Sequence, residues 1–64
     1  MKSYSSREVI EILEKNGWKL KNIRGDHYYF IHTVNNNKIT VTHPVKDMTL
    51  NNIKSISKLT GIKF

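Results

Sequence analysis

The sequence is poor in the residues that build many common functional sites: it has no cysteine, three glycines and only five acidic residues. The lack of cysteine excludes disulfides, cysteine-ligated zinc fingers and thiol nucleophiles. No glycine-rich phosphate-binding loop is present, and a two-metal nuclease needs more converging carboxylates than the chain offers. No apolar run approaches the roughly 18–20 residues of a membrane span, and no signal-peptide core follows Met1. We therefore expect no metal or other cofactor, no contact with a membrane and a cytoplasmic location.

The chain is also short, and its length limits what it can build. A chain of 64 residues buries only about 60% of the surface that its unfolded state exposes, so a deep substrate cavity is not expected. We expect a single domain that covers residues 1–64. Hydrophobic residues make up 38% of the sequence, which indicates a folded domain and not a disordered segment.

The positive charge is confined to one part of the chain. Residues 1–17 contain three basic and three acidic residues, whereas residues 18–64 contain eight basic residues and only two acidic ones. The whole formal net charge of +6 therefore lies in the second segment. Such asymmetry favours a polyanionic partner, with RNA or DNA ahead of an anionic membrane. A lysine-rich solvated surface is the alternative explanation of the same charge.

Capping residues and hydrophobic spacing predict two helices. Ser5 and Glu8 have the spacing of a capping box, and Asn16-Gly17 is a stop signal, so the first helix is expected between them. The second helix is expected between Thr49, a suitable N-cap, and Gly61, the next stop signal. Both segments have apolar residues at helical spacing.

Three strands are expected between these helices, over residues 18–24, 27–34 and 38–43. The turns between them are Gly25-Asp26 and the three asparagines at 35–37, and Pro44 ends the last strand because it has no amide hydrogen. The order is α-β-β-β-α. It predicts an α+β fold with a three-stranded antiparallel sheet, two helices on one face of the sheet and an open second face.

The candidates for catalysis or metal binding are the three histidines, His27, His32 and His43. Nothing in their spacing makes them converge with a fourth ligand, so a zinc site is not expected. Alternation along the second strand puts His27 and Tyr29 on one face, and Tyr28 and Phe30 on the other. Tyr28 and Phe30 form the better core pair, so we expect His27 on the open face. His32, near the end of the strand, is then structural.

His27 directly follows the Gly25-Asp26 turn and lies near Arg24. A histidine can accept or donate a proton near neutral pH, and cleavage of an RNA strand requires such a transfer. RNA carries its own nucleophile, the 2′-hydroxyl, so a small protein need only bind the phosphate and supply one proton donor or acceptor. The alternative is that His27 is simply a polar strand residue at a hairpin.

Four short motifs follow the predicted elements along essentially the whole chain. They are Asn16-Gly17-Trp18, residues 24–30 (Arg-Gly-Asp-His-Tyr-Tyr-Phe), residues 41–44 (Val-Thr-His-Pro) and residues 60–62 (Thr-Gly-Ile). The most specific feature is Gly-x-His followed by an aromatic strand. Together with the size and the element order, these motifs resemble the HicA toxins of bacterial toxin–antitoxin modules.

The resemblance implies a fold like that of double-stranded-RNA-binding domains and metal-independent cleavage of mRNA. It assigns the family's functional histidine, which belongs to a Gly-Ser-His motif, to His27. It also implies two partners. One is mRNA, the substrate, and the other is a larger antitoxin, HicB, that covers the active surface and helps to repress the operon.

Two positions depart from the family pattern. Asp26 stands where the family usually has serine, and its carboxylate would favour the imidazolium form of His27, which helps an acid role and hinders a base role. After the third strand the family often has Pro-x-His, whereas Pro44-Val45-Lys46 follows His43 here. If a second basic group assists, Lys46 and His43 are the candidates.

The leading hypothesis is therefore an mRNA endoribonuclease toxin, an mRNA interferase, in which His27 is the general acid or base. The candidates for contacts with the RNA backbone lie on or beside the strands: Lys19, Lys21, Arg24 and Lys46. Contacts of this kind position RNA without reading its sequence. Two alternatives remain open, a non-catalytic double-stranded-RNA-binding module and a small interaction domain whose lysines only keep it in solution.

Overall fold

The computed structural model describes residues 3–64, which form an α+β fold. Its elements are α1 (Ser6–Lys15), β1 (Trp18–Arg24), β2 (His27–His32), β3 (Lys38–Thr42) and α2 (Leu50–Thr60). The strands form one antiparallel sheet in the order β1-β2-β3, with β2 in the centre. The α-β-β-β-α order and the three-stranded antiparallel sheet expected from the sequence are therefore confirmed.

Two strands are shorter than the sequence pattern predicted. β2 ends at His32 and not at residue 34, because the chain turns there: the amide of Asn36 donates to the carbonyl of His32 at 3.1 Å. Asn36 adopts a positive φ of 59°, which asparagine tolerates better than most residues. β3 ends at Thr42 and not at residue 43. The first residue of each strand lies where it was expected, so the position of His27 at the start of β2 is unaffected.

Both helices begin and end at the predicted capping residues. Ser5 Oγ accepts a hydrogen bond from the amide of Glu8 at 3.2 Å, and Glu8 Oε1 accepts one from the amide of Ser5 at 3.1 Å. This pair is a complete capping box. α2 has Thr49 as its N-cap and ends at Gly61, whose φ of 75° suits a residue without Cβ. No helix within the described residues is long and apolar enough to cross a membrane.

The hydrophobic core lies between the helices and one face of the sheet. Its buried members come from both helices, all three strands and the loop before α2: Val9, Leu13, Trp18, Phe30, Ile39, Val41, Met48, Ile53 and Ile56. Tyr28 packs against this cluster and is partly buried, as expected. Because side chains alternate along a strand, His27 and Tyr29 point to the other face. That other face, here called the open face, is not covered by the helices.

Ser6 holds the loop between β3 and α2 against the start of α1. It is the one polar residue within residues 3–64 whose side chain is buried. Ser6 Oγ accepts a hydrogen bond from the amide of Val45 at 2.8 Å and lies 2.6 Å from Nδ1 of His43. Backbone bonds join the same segments, because the amide of Ser6 donates to the carbonyl of Val45 and the amide of Met48 donates to that of Tyr4. These contacts fix α1 relative to the end of the sheet.

We expect Ser6→Ala to destabilise the protein, because it leaves the amide of Val45 and the ring of His43 without their buried partner. The free energy of unfolding should fall by about 1–3 kcal/mol. Urea unfolding followed by circular dichroism measures this change. Ser55→Ala on the exposed side of α2 is the matched control, with an expected change of less than about 0.5 kcal/mol. Equal effects of the two substitutions would contradict the role given to Ser6.

Candidate functional site

A β-bulge in β1 decides which side chains share the open face with His27. The pairing of β1 with β2 shifts between Leu20 and Asn22, so the register passes over Lys21. Strict alternation from Leu20, which lies on the covered face, would put Arg24 on that face too. The extra residue at the bulge reverses the alternation. Arg24 therefore pairs with His27 on the open face.

The open face consists of three rows of side chains, since residues paired across antiparallel strands point to the same side of a sheet. Each row takes one residue from β1, one from β2 and one from β3: Arg24–His27–Thr42, Asn22–Tyr29–Thr40 and Lys19–Ile31–Lys38. The central strand thus presents a histidine, a tyrosine and an isoleucine. Basic or amide side chains flank them on β1, and hydroxyl or basic side chains flank them on β3.

His27 is accessible on this face, with 55% of its side chain exposed. Its Nε2 lies 3.5 Å from Oδ1 of Asp26, whose side chain is 64% exposed. An ion pair this exposed is screened by water and holds its partners weakly. The ring of His27 also approaches that of Tyr29, with 6.5 Å between the ring centroids and 33° between the planes. The imidazole can therefore reach a ligand without first breaking a strong contact.

His32 has a structural environment. Its Nδ1 accepts a hydrogen bond from the amide of Val34 at 3.2 Å, so the ring proton lies on Nε2, which donates to the carbonyl of Asn16 at 3.0 Å. The ring also packs edge-to-face on Trp18, with 5.2 Å between centroids. His32 thus connects the end of β2 to the end of α1, which is the structural role that we expected.

His43 lies on the covered side of the sheet. Its ring packs edge-to-face on Tyr28, with 4.8 Å between centroids, and its Nδ1 contacts the hydroxyl of Ser6. The fold therefore separates His43 from the open face and from His27. Within residues 3–64, no group of three histidine, aspartate or glutamate side chains could hold a metal ion.

The four cationic residues selected from the sequence lie in three different settings. Lys19 and Arg24 are on the open face, where Lys19 shares a row with Ile31 and Arg24 shares a row with His27. Lys21 is at the bulge of the same strand. Lys46 is exposed in the loop between β3 and α2, outside the three rows. The structure thus brings Arg24 next to His27 and leaves Lys46 apart from the rows.

Lys38 is an open-face cation that the sequence analysis did not select. It begins β3 and pairs with Ile31, so it flanks the central strand on the side opposite Lys19. A signal for it was present in the sequence. Alternation along β3 puts Ile39 and Val41 in the core, and Lys38 then falls on the other face.

A shallow groove of about 650 Å³ lies beside His27. Its polar and basic lining includes Lys21, Asn22, Arg24, Lys38, Thr40 and Asn52, its apolar lining is Phe30, Ile39, Met48, Ile56 and Leu59, and none of its described lining residues is acidic. Tyr29 lines the groove as well. His27 does not line it, but Arg24 and Thr42, its neighbours in the same row, do. The groove therefore offers an anionic ligand a basic surface next to the histidine.

The fold and the open face together define a class of protein: a small αβββα domain with an exposed histidine on a basic, uncovered sheet face. Residues 6–62 match the family model of the HicA toxin of bacterial toxin–antitoxin systems. The chain therefore belongs to the HicA toxin family, and the protein is the toxin of a toxin–antitoxin system with a cognate antitoxin as its partner. No curated protein matches the chain significantly.

We expect diethyl pyrocarbonate to modify His27 before the other two histidines. The reagent acylates accessible, unprotonated imidazole nitrogens; His27 is largely exposed, whereas His32 and His43 are half-buried with ring nitrogens in hydrogen bonds. Tandem mass spectrometry of tryptic peptides from a time course measures the order. Earlier modification of His32 or His43 would contradict the arrangement described above.

Proposed function

We propose that the protein is an endoribonuclease that cleaves mRNA without a metal ion and uses His27 as its general acid or base. The observation that carries this proposal is the pairing of exposed His27 with Arg24 on the open face. A proton-transfer group and a permanent cation then lie side by side where a phosphodiester can reach both. The family match supports the proposal at the level of a toxin.

The proposed reaction is attack of the ribose 2′-hydroxyl on the adjacent phosphorus. The bond from the 2′-oxygen to phosphorus forms, the bond from phosphorus to the 5′-oxygen breaks, and the products are a 2′,3′-cyclic phosphate and a 5′-hydroxyl. His27 either takes the proton from the 2′-hydroxyl or gives one to the leaving 5′-oxygen. Arg24 donates hydrogen bonds to the phosphoryl oxygens as negative charge develops on them. Water supplies or accepts the other proton.

The electrostatics of the open face favour RNA as the ligand. Lys19 and Lys38 occupy the two edges of one row, and Lys21 lines the groove beside it. Such cations neutralise backbone phosphates and position the strand without reading its sequence. His27 is exposed on this face, so cleavage there requires no deep cavity.

The same surface is the proposed docking site of the antitoxin, a larger protein of the HicB type. An acidic inhibitor that covers the open face would associate rapidly with a basic toxin, because complementary charge raises the association rate. It would also exclude RNA from His27. A non-catalytic double-stranded-RNA-binding module is the alternative function, and the experiment on His27 separates it from the nuclease.

We expect His27→Ala to lower the rate of RNA cleavage by a factor of about 10²–10⁴, which is the usual contribution of a general acid or base. Cleavage of single-stranded RNA by the wild type should persist in EDTA. Gel analysis of end-labelled RNA measures the rate, and expression in bacteria measures the accompanying loss of growth inhibition.

The matched preparation controls this test. Wild type and variant are purified identically, so a contaminating ribonuclease would cleave RNA in both samples. Circular dichroism should show the same melting temperature for both, since the side chain of His27 is 55% exposed. Cleavage by the variant at the wild-type rate would refute the role of His27. Binding without cleavage by the wild type would favour the non-catalytic module.

We expect Lys19→Gln and Lys38→Gln each to weaken binding of single-stranded RNA, measured by fluorescence anisotropy in the His27→Ala background at several salt concentrations. Each lost phosphate contact should reduce the slope of log K against log salt by about 0.7. Lys58→Gln, on the exposed side of α2, removes the same charge away from the open face. An equal reduction by this control would show that only total charge matters.

A further inference from the structure

Tyr29 is an aromatic residue of the open face that has no role in the proposed cleavage reaction. We propose that its ring is a stacking platform for one unpaired nucleobase, next to the nucleotide whose phosphate reaches His27. This inference rests on the proposed function, because it specifies which RNA the same site takes. It assigns single-stranded RNA as the ligand and Tyr29 as the residue that selects it.

The position of Tyr29 suits this role. Tyr29 occupies the middle row of the open face, between Asn22 on β1 and Thr40 on β3. These neighbours are small polar side chains that do not extend across an aromatic ring. Within the described residues, the ring contact of Tyr29 is with His27, and its hydroxyl takes part in no hydrogen bond. Tyr29 is half-buried, so only the exposed part of its ring is available to a ligand.

The groove around Tyr29 has the chemistry of a nucleotide site. Lys21 and Lys38 line it and can bind phosphates on either side of the base. Asn22 lines it from the row of Tyr29, Asn52 lines it from α2, and core side chains such as Phe30 and Ile39 form its apolar part. The two amides can both donate to and accept from the edge of a base. Aromatic stacking with flanking cations is the usual combination in proteins that bind single-stranded nucleic acid. The tyrosine, amides and lysines here provide each of these parts.

A cavity that the described residues form on the covered side of the sheet differs from the groove in charge. This smaller cavity, of about 290 Å³, is lined by two carboxylates, Glu11 and Glu14, and by one cation, Arg7. Their carboxylates repel a phosphate backbone, whereas the described lining of the groove at Tyr29 contains no acidic residue. The charge of the two linings therefore favours RNA binding in the groove beside Tyr29.

A stacking platform selects against duplex RNA. In a duplex the faces of the bases are stacked on their neighbours, so a ring fixed in a rigid sheet cannot reach them without unpairing a nucleotide. A single strand presents its bases at no such cost. Binding through Tyr29 should therefore add affinity for single-stranded RNA and none for a duplex of the same sequence.

The test compares Tyr29→Leu and Tyr29→Phe in the His27→Ala background, so that RNA is bound but not cleaved. Fluorescence anisotropy measures binding of a short single-stranded RNA, the same strand with its central bases replaced by abasic units, and the perfect duplex. Tyr29→Leu should weaken binding of the intact strand by a factor of about 5–150, the range measured for loss of one base-stacking contact. It should leave binding of the abasic strand and the duplex unchanged. Tyr29→Phe should retain the affinity of the parent.

Ile31→Ala is the matched control, because Ile31 is the next residue after Tyr29 on the open face of β2. It should change the affinities of the intact and abasic strands by equal factors. The inference is overturned if Tyr29→Leu binds the intact strand as tightly as its parent, if it weakens the abasic strand equally, or if Tyr29→Phe loses as much as Tyr29→Leu.

The two proposals fail in different ways. If Tyr29-dependent binding holds but the wild type does not cleave RNA, the nuclease proposal fails and the stacking site stands. If the wild type cleaves through His27 while Tyr29→Leu binds normally, the stacking site fails and the nuclease stands.

Discussion

The pairing of β1 with β2 must place Trp18 and Arg24 on opposite faces of the sheet, which a strand with uninterrupted alternation cannot do. Trp18 must face the helices, because it belongs to the buried core. The two-residue turn at Gly25-Asp26 places Arg24 opposite His27 on the open face. Trp18 and Arg24 are an even number of residues apart, so strict alternation would put both on one face. The bulge at Lys21 resolves this conflict, and the composition of the open face depends on it.

The three histidines show how the fold gives one residue type different environments. His32 is held by two hydrogen bonds at the junction of α1 and β2. His43 contacts Ser6 on the covered side, where it helps to hold the loop that leads to α2. His27 alone is on the open face, beside a cation and an aromatic ring. A search for histidines in the sequence finds all three, but only their surroundings separate a reactive position from structural ones.

Most of the fold could be predicted because its signals are local. The capping box at Ser5 and Glu8, and the stop signal at Gly61, depend on backbone geometry within a few residues, and the structure has both. The end of β2 could not be predicted from its β-branched residues, because a turn centred near Asn36 takes them out of the sheet. Lys38 was missed for a different reason. Alternation along β3 puts it on the open face, but only the pairing of β3 with β2 places it in one row with Ile31 and Lys19.

By itself, the sequence determined the order of the elements and the exposure of His27, because capping, helical spacing and strand alternation act between near neighbours. Only the tertiary structure decided which side chains share the open face with that histidine. The cross-strand register put Arg24 next to it, and the packing of the loop after β3 put His43 on the other side. Contacts between distant segments depend on register and bulges, and a single inserted residue reverses every side chain that follows.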